Sequence, residues 1–189
     1  MKKHFSWLAI VAASLFMMAS VYATPSFALN LVTNGDFETG DFTGWTTSGA
    51  YISIQPNGFD GLYAANLGTF GELGYLTQSN IPTIPGENYQ LSYALSSSGG
   101  VVNQFEASVN GTTLVSSLNG GTHPYDIFSF DFIADSVFTE LIFAERNDPG
   151  AFLIDNISIE LAPVPEPSTL LLLGVGLLGA SLLRKRIRS

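Results

Sequence analysis

The chain has 189 residues, no cysteine, and a formal net charge of −9 from 16 acidic and 7 basic residues. The lack of cysteine excludes disulfides and thiol chemistry. Six of the seven basic residues lie in the two ends, so residues 29–162 keep only Arg146 against 15 acidic residues, a formal charge of −14. Such a surface repels nucleic acid and anionic lipid, and it favours divalent cations.

Residues 1–28 have the pattern of a secretory signal peptide. Lys2 and Lys3 precede an apolar run over residues 5–22, and small residues stand at Ser26 and Ala28. This is the order of a basic region, an apolar region and a small-residue cleavage site. We predict cleavage after Ala28, with Ala23 as the second choice, and a retained N-terminal anchor as the alternative.

Residues 29–162 are predicted to form one all-β domain. Short runs that alternate apolar and polar residues predict half-buried strands, and Asn110-Gly111 predicts a two-residue hairpin turn. The predicted strands cover 49–54, 62–67, 73–79, 89–95, 105–109, 112–116, 128–132, 137–144 and 152–161. So many short strands predict a two-sheet sandwich of the jelly-roll type.

The two ends of this domain carry recognisable motifs. The opening motif is NLVTNGDFE from Asn30 to Glu38, followed by GDFTGW up to Trp45, and the closing motif is FLIDNISI over residues 152–159. Together they resemble galactose-binding-like jelly rolls, which include many carbohydrate-binding modules. The resemblance implies that the two ends of the domain meet and share a structural Ca²⁺.

Asp155 in the closing motif supports a bound cation. It has the same parity as Ile157 and Ile159, so in a regular strand its carboxylate faces the core. A carboxylate there needs a cation, hydrogen-bond donors or a proton.

We predict a structural Ca²⁺ bound by Glu38, Asp155 and backbone carbonyls near Gly35 or in the loop after Leu67, because Ca²⁺ takes oxygen ligands. In the alternative, Glu38 caps a turn and Asp155 pairs with Arg146 or faces a wet strand edge.

Three aromatic residues are predicted to contact glycan, since a flat ring suits the apolar side of a sugar. Trp45 lies in the opening motif, while Tyr75 and Tyr125 are flanked by loop residues rich in Gly or Pro. A place in the core is the favoured alternative for Trp45, and packing within a strand is the alternative for Tyr75.

The amino-acid types present in residues 29–162 limit which catalytic sites the domain can have. His123 is the only histidine in this range, which is too few for a zinc site, and no Gly-x-Ser-x-Gly motif is present to indicate a serine triad. A glycosidase pair drawn from Glu72, Glu106, Glu140 or Asp126 is the remaining option. We predict a non-enzymatic protein, with a small glycoside hydrolase as an alternative.

Residues 163–189 contain three pieces in a fixed order. Pro165, Glu166 and Pro167 precede an uncharged run over residues 168–183, and Arg184, Lys185, Arg186 and Arg188 follow it. Sixteen helical residues reach about 24 Å, which makes a short transmembrane helix feasible. The basic residues should stay on the cytoplasmic side. An ordinary membrane anchor is the alternative.

This order resembles the PEP-CTERM sorting signal of exported bacterial proteins. The resemblance implies that an exosortase-type membrane protease recognises Pro165–Pro167 and removes the helix behind it, so that the protein is anchored only transiently in the inner membrane. We therefore predict an exported protein of the cell surface or extracellular matrix that binds polysaccharide. A purely structural matrix protein without a soluble ligand is the other possibility.

Overall fold

The computed structural model describes residues 29–162. The predicted signal peptide with its cleavage site at Ala28, the Pro165–Pro167 triplet, the helix over 168–183 and the basic residues 184–188 all lie outside this range. Within it, no helix is long and apolar enough to cross a membrane.

Ten strands make up the part of the chain that the structure describes. They are β1 (Thr46–Ser48), β2 (Ile52–Gln55), β3 (Ala64–Leu67), β4 (Gly74–Pro82), β5 (Asn88–Ser97), β6 (Val102–Val109), β7 (Thr112–Leu118), β8 (His123–Ile133), β9 (Phe138–Asp148) and β10 (Phe152–Leu161). Sheet A has the order β1-β4-β9-β6-β7 and sheet B the order β2-β3-β10-β5-β8. Every strand pair is antiparallel.

The predicted all-β sandwich is confirmed. Each predicted run overlaps one of the strands β2 to β10, and only the short polar β1 was missed. The β6–β7 hairpin turns at Asn110 and Gly111, whose φ angles of 46° and 76° are both positive, as a type I′ turn requires.

The core lies between the two sheets and is built from alternate residues of their strands. Tyr93 of sheet B packs against Phe143 and Phe105 of sheet A, with ring centroids 5.2 and 5.9 Å apart. Phe152 of sheet B packs on Phe105 at 5.4 Å. Each such ring contributes roughly 1.5–3 kcal/mol by burial, so this aromatic cluster is a main source of cohesion.

The opening and closing motifs lie side by side, as the resemblance implies. The Leu31 amide donates to the Ile159 carbonyl at 2.9 Å, and the Ile157 amide donates to the Gly35 carbonyl at 2.9 Å. A Cβ on Gly35 would overlap the Ile157 carbonyl oxygen, so this approach requires glycine.

The two ends of the sandwich, the loop end and the exit end, are formed by different segments of the chain. At the loop end, the Ser98 amide donates to the Ala151 carbonyl and joins the β5–β6 and β9–β10 connections. At the exit end, the Ala162 amide donates to the Asn88 carbonyl, and the chain continues from there towards residue 163. Strand β10 runs from the loop end to the exit end, a distance of about 30 Å.

Candidate functional site

Asp155 does not face the core, which corrects the parity argument. Ile154 pairs with Leu95 in register, but the pairing of β10 with β5 shifts between Asp155 and Ser158. This bulge places Asn156 at a φ of 50° and adds one residue to the strand. Ile154 and Ile157 therefore both enter the core, while Asp155 lies on the outer face of sheet B.

The 57–63 loop covers Asp155 on that face. The amides of Phe59 and Asp60 donate to Oδ2 of Asp155 at 2.7 and 3.3 Å. The amides of Leu62 and Tyr63 donate to Oε1 of Glu38 at 2.7 and 2.8 Å. Two carboxylates thus accept hydrogen bonds from four amides of one loop, and hydrogen bonds to charged acceptors are the stronger kind.

These contacts limit how well the predicted calcium ligands fit a cation. The carbonyl of Gly35 accepts from the Ile157 amide, and both carboxylates accept from the 57–63 loop. No group of three or more acidic, His or Cys side chains among residues 29–162 is arranged to hold a metal ion. The donor set therefore fits Ca²⁺ only in part, and calcium stays a prediction.

The alternative ion pair between Arg146 and Asp155 is not formed. The Arg146 guanidinium binds the Asp148 carboxylate instead, with Nε donating to Oδ2 at 2.8 Å. Asp155 is buried without a cationic partner among the described side chains. Its burial raises the pKa of the carboxyl group, and the nearby Glu38 adds to the rise, while the loop amides oppose it.

A cleft of about 500 Å³ lies on the outer face of sheet B towards the loop end. Each of the five strands contributes to its lining, with Gln55 from β2, Asn66 from β3, Leu153 from β10, Ser96 and Ser97 from β5, and His123, Pro124 and Tyr125 from β8. The loop residues Asn57, Ser98 and Ala151 complete the lining. No Asp or Glu lines this cleft, so it combines amides, hydroxyls, the His123 imidazole and the Tyr125 ring without a carboxylate.

Tyr125 connects this cleft to the 57–63 loop. Its hydroxyl donates to the Asn57 carbonyl at 2.8 Å, and its ring packs on Phe59 with centroids 5.5 Å apart. Burial, together with the Asp155 carboxylate, raises the pKa of Tyr125 to about 12, so the hydroxyl stays a donor at neutral pH. Phe59 remains 41% exposed, which leaves the two rings as an aromatic edge on the face.

A second cleft of about 450 Å³ lies on the same face across the 57–63 loop. Phe59, Ser92, Ile127, Asn156 and Glu160 contribute to its lining. It is more acidic than the first cleft, because Asp36 also lines it. The 57–63 loop therefore divides the face of sheet B into a neutral and an acidic part.

The three predicted glycan contacts do not come together. Trp45 is only 7% exposed, packs on Phe37 at 5.8 Å and donates from its indole to the Asn34 carbonyl at 3.1 Å, so it is a core residue. Tyr75 is 39% exposed but lies on sheet A, away from the clefts of sheet B. Only Tyr125 lines a cleft.

The acidic residues considered for a glycosidase pair are also dispersed. Glu106 binds Thr113 and Glu140 binds Ser79 on strands of sheet A, whereas Asp126 lies 3.3 Å from His123 on sheet B. A glycosidase needs two carboxyl groups across one bond, about 5–10 Å apart in a shared cleft. None of these residues lines the neutral cleft.

Comparison with known families identifies the C-terminal segment. Residues 163–186 match the model of the PEP-CTERM protein-sorting motif. The chain carries a PEP-CTERM sorting motif. The motif supports export and membrane-associated processing of the chain. A comparison of the sequence with curated proteins finds no match.

Solved structures similar to residues 29–162 include several carbohydrate-binding modules. One is TmCBM61 in complex with β-1,4-galactotriose, with a TM-score of 0.56 and 20% identity, covering 71% of this chain and 99% of that one. Another is the CBM22-1 xylan-binding domain of Xyn10C from Paenibacillus barcinonensis, with a TM-score of 0.52 and 17% identity, covering 73% and 97%.

An enzyme shares this fold as well. The cyclase Fisc from Fischerella sp. TAU has a TM-score of 0.52 and 17% identity, covering 73% of this chain and 100% of that one. At such identities the likeness shows the jelly-roll sandwich alone. Function has to be argued from the residues of the site.

The sequence did not reveal several residues of the neutral cleft and of the loop beside it. Gln55 and Asn66 face outwards from β2 and β3, but a polar residue in an alternating strand looks the same whether it lines a cleft or meets solvent. Phe59 lies in a loop that the sequence does not place over sheet B. The Pro124-Tyr125 dipeptide is the one sequence signal that lies in this cleft.

Proposed function

We propose that residues 29–162 form an exported, non-enzymatic domain that binds a neutral polysaccharide in the cleft between Gln55 and Tyr125. The neutral lining of this cleft carries the proposal. Amides and hydroxyls can hydrogen-bond sugar hydroxyls from both sides, and the edge formed by Tyr125 and Phe59 can pack on the apolar face of a sugar ring. The fold shared with TmCBM61 and the xylan-binding domain supports this function.

Two further observations restrict the ligand and the reaction. A formal charge of −14 on residues 29–162 repels polyuronates and other acidic polymers, which favours a neutral glycan. The cleft contains no carboxylate pair that could hydrolyse it. The domain therefore holds polysaccharide without cleaving it.

The sorting motif gives this activity a location. In the proposal, the exosortase recognises Pro165–Pro167, removes the helix over 168–183, and the domain reaches the cell surface or the extracellular polysaccharide matrix. There it joins matrix glycan to the cell envelope.

The test is binding of residues 29–162 to β-1,4-galactotriose, xylohexaose and polygalacturonate, measured by calorimetry. We expect a neutral oligosaccharide to bind and the polygalacturonate not to bind. Tyr125→Ala should weaken binding at least about tenfold, or about 1.4 kcal/mol. Tyr75→Ala is the matched control, because it removes the same side chain from sheet A.

Tyr125→Phe separates the two roles of this residue. It keeps the ring and removes only the hydroxyl that donates to Asn57, so most of the affinity should remain. Equal losses for Tyr75→Ala and Tyr125→Ala would contradict the assignment of the cleft. No binding to any glycan would leave a purely structural matrix protein as the better reading.

A further inference from the structure

The exit end of the domain carries exposed apolar side chains from four parts of the chain. They are Ile84, Ile133, Val137, Phe138 and Leu161, each between 42% and 69% exposed, and we call them the exit patch. Isolated exposed apolar residues are ordinary, but a group of them at one place marks an interaction surface.

Backbone pairing places these residues at one end. Phe138 pairs with Pro82 in register, and the Thr83 amide donates to the Val137 carbonyl at 3.0 Å. Ile133 pairs with Asn88. The Asn88 carbonyl in turn accepts from the Ala162 amide, so the patch surrounds the point where the chain leaves the domain.

The length of chain beyond this point brings the patch close to a membrane. Five residues, 163–167, separate Ala162 from the predicted transmembrane run that starts at residue 168. Fully extended, they span at most about 18 Å. Three of them are prolines, which fix φ and so restrict the conformations that the connection can adopt. Before the tail is removed, the exit end therefore stays within a short reach of the lipid surface.

We propose that the exit patch rests on the lipid surface of the membrane that anchors the tail. The neutral cleft, at the loop end about one strand length away, then faces outwards. The contact is apolar rather than electrostatic, because Glu87 and Asp135 lie in the same connections and repel anionic headgroups. The inference concerns the orientation of the anchored form and is independent of glycan binding.

The tether explains how a small patch can suffice. Intramolecular attachment gives the domain a high effective concentration at the membrane, so contacts too weak to recruit a free domain still orient an anchored one. The same reasoning predicts release once the tail is cut, because five partly exposed side chains do not hold a soluble domain on lipid.

The lack of cysteine makes a direct test possible. The chain with its C-terminal tail is reconstituted into phosphatidylcholine nanodiscs at one chain per disc, with a single cysteine labelled by an environment-sensitive fluorophore. Val137→Cys reports on the exit patch. Val101→Cys is the matched control, since Val101 is 87% exposed at the loop end.

We expect a blue-shifted emission and quenching by a lipid-borne quencher for Val137→Cys, and water-like emission for Val101→Cys. Adding Ile133→Ser and Phe138→Ser to the labelled Val137→Cys chain should reduce the shift, while the paired change Ile127→Ser and Leu118→Ser, away from the patch, should not. Water-like emission at both positions would overturn the proposal. So would equal quenching at both, because the domain would then lie on its side.

Discussion

The carboxylate of Asp155 accepts a hydrogen bond of 2.7 Å from the amide of Phe59, a residue 96 positions earlier in the chain. This contact fixes the 57–63 loop against the outer face of sheet B. The loop in turn positions Phe59 and the Asn57 carbonyl beside Tyr125. The buried carboxylate of Asp155 thus positions the loop that forms one side of the proposed binding cleft.

The first prediction concerns this carboxylate. Asp155→Asn leaves one carbonyl oxygen and one NH₂ group, so either the amides of Phe59 and Asp60 or the amide of Asn156 loses its acceptor. We expect a loss of about 1–3 kcal/mol in the free energy of unfolding, because buried donors lose their partner. Urea denaturation measures it, and Asp131→Asn on the exposed face of β8 is the control. A loss equal to that of the control would show that the loop does not depend on Asp155.

The second prediction concerns pH. Glu145 is buried in sheet A near the Thr69 amide, and burial raises the pKa of its carboxyl group. Between the ordinary carboxyl pKa of about 4.3 and the raised pKa, the folded state binds more protons than the unfolded state. The free energy of unfolding therefore falls as pH rises through this window.

Glu145→Gln removes this titration. The stability of the variant relative to the wild type should rise from about pH 4 to pH 7, measured as the difference in thermal midpoints. Glu72→Gln, at an exposed loop residue, is the control for the loss of one charge. A difference between Glu145→Gln and the wild type that does not change with pH would contradict the assignment.

The third prediction concerns the calcium site expected from the sequence. If Ca²⁺ is bound by Glu38 and Asp155, added Ca²⁺ should raise the thermal midpoint, EDTA should reverse the change, and Asp155→Asn should abolish the response. Such binding would use the lone pairs that the loop amides leave on these carboxylates, or displace the amides from Oδ2 of Asp155 and Oε1 of Glu38. A thermal midpoint that changes with neither Ca²⁺ nor EDTA would show that the loop amides, and not a bound Ca²⁺, are the partners of these carboxylates.

The fourth prediction concerns Gly35, where the opening and closing motifs touch. In Gly35→Ala the added Cβ overlaps the backbone carbonyl of Ile157, which cannot move without disturbing β10. We expect a loss of roughly 1–3 kcal/mol, as for other overpacked sites. Gly121→Ala is the matched control, because a Cβ there meets nothing within 4 Å. Equal thermal midpoints for the two variants would contradict this reading of the motif.

Local patterns were enough to predict the sheets but not the face that carries the cleft. Alternation found β5, β6, β8 and β9 because one side of each strand is buried, whereas β1 has only the polar residues Thr46, Thr47 and Ser48. The parity of Asp155 failed because a single bulge at Asn156 reverses the side on which every earlier residue points. A bulge leaves almost no mark in a sequence.

Contacts between loops far apart in the chain could not be predicted from the sequence either. Glu38 was correctly considered as a residue that could cap a turn, but the turn it binds lies 24 residues later at Leu62. Trp45 packs on Phe37 in the core, as its sequence context favours. The contact partners of Glu38 and Trp45 both depend on tertiary packing, which the spacing of residues in the sequence does not reveal.

Strand β10 has a mechanical consequence. It lies inside sheet B between β3 and β5, and the chain leaves the domain directly from its last residues. Tension on the tail therefore pulls β10 along its own axis, parallel to its neighbours. In this shear geometry the hydrogen bonds from β10 to β3 and β5 bear the force together. A hairpin pulled apart at its ends would instead break its hydrogen bonds one after another, so the anchored domain resists extension better than such a hairpin.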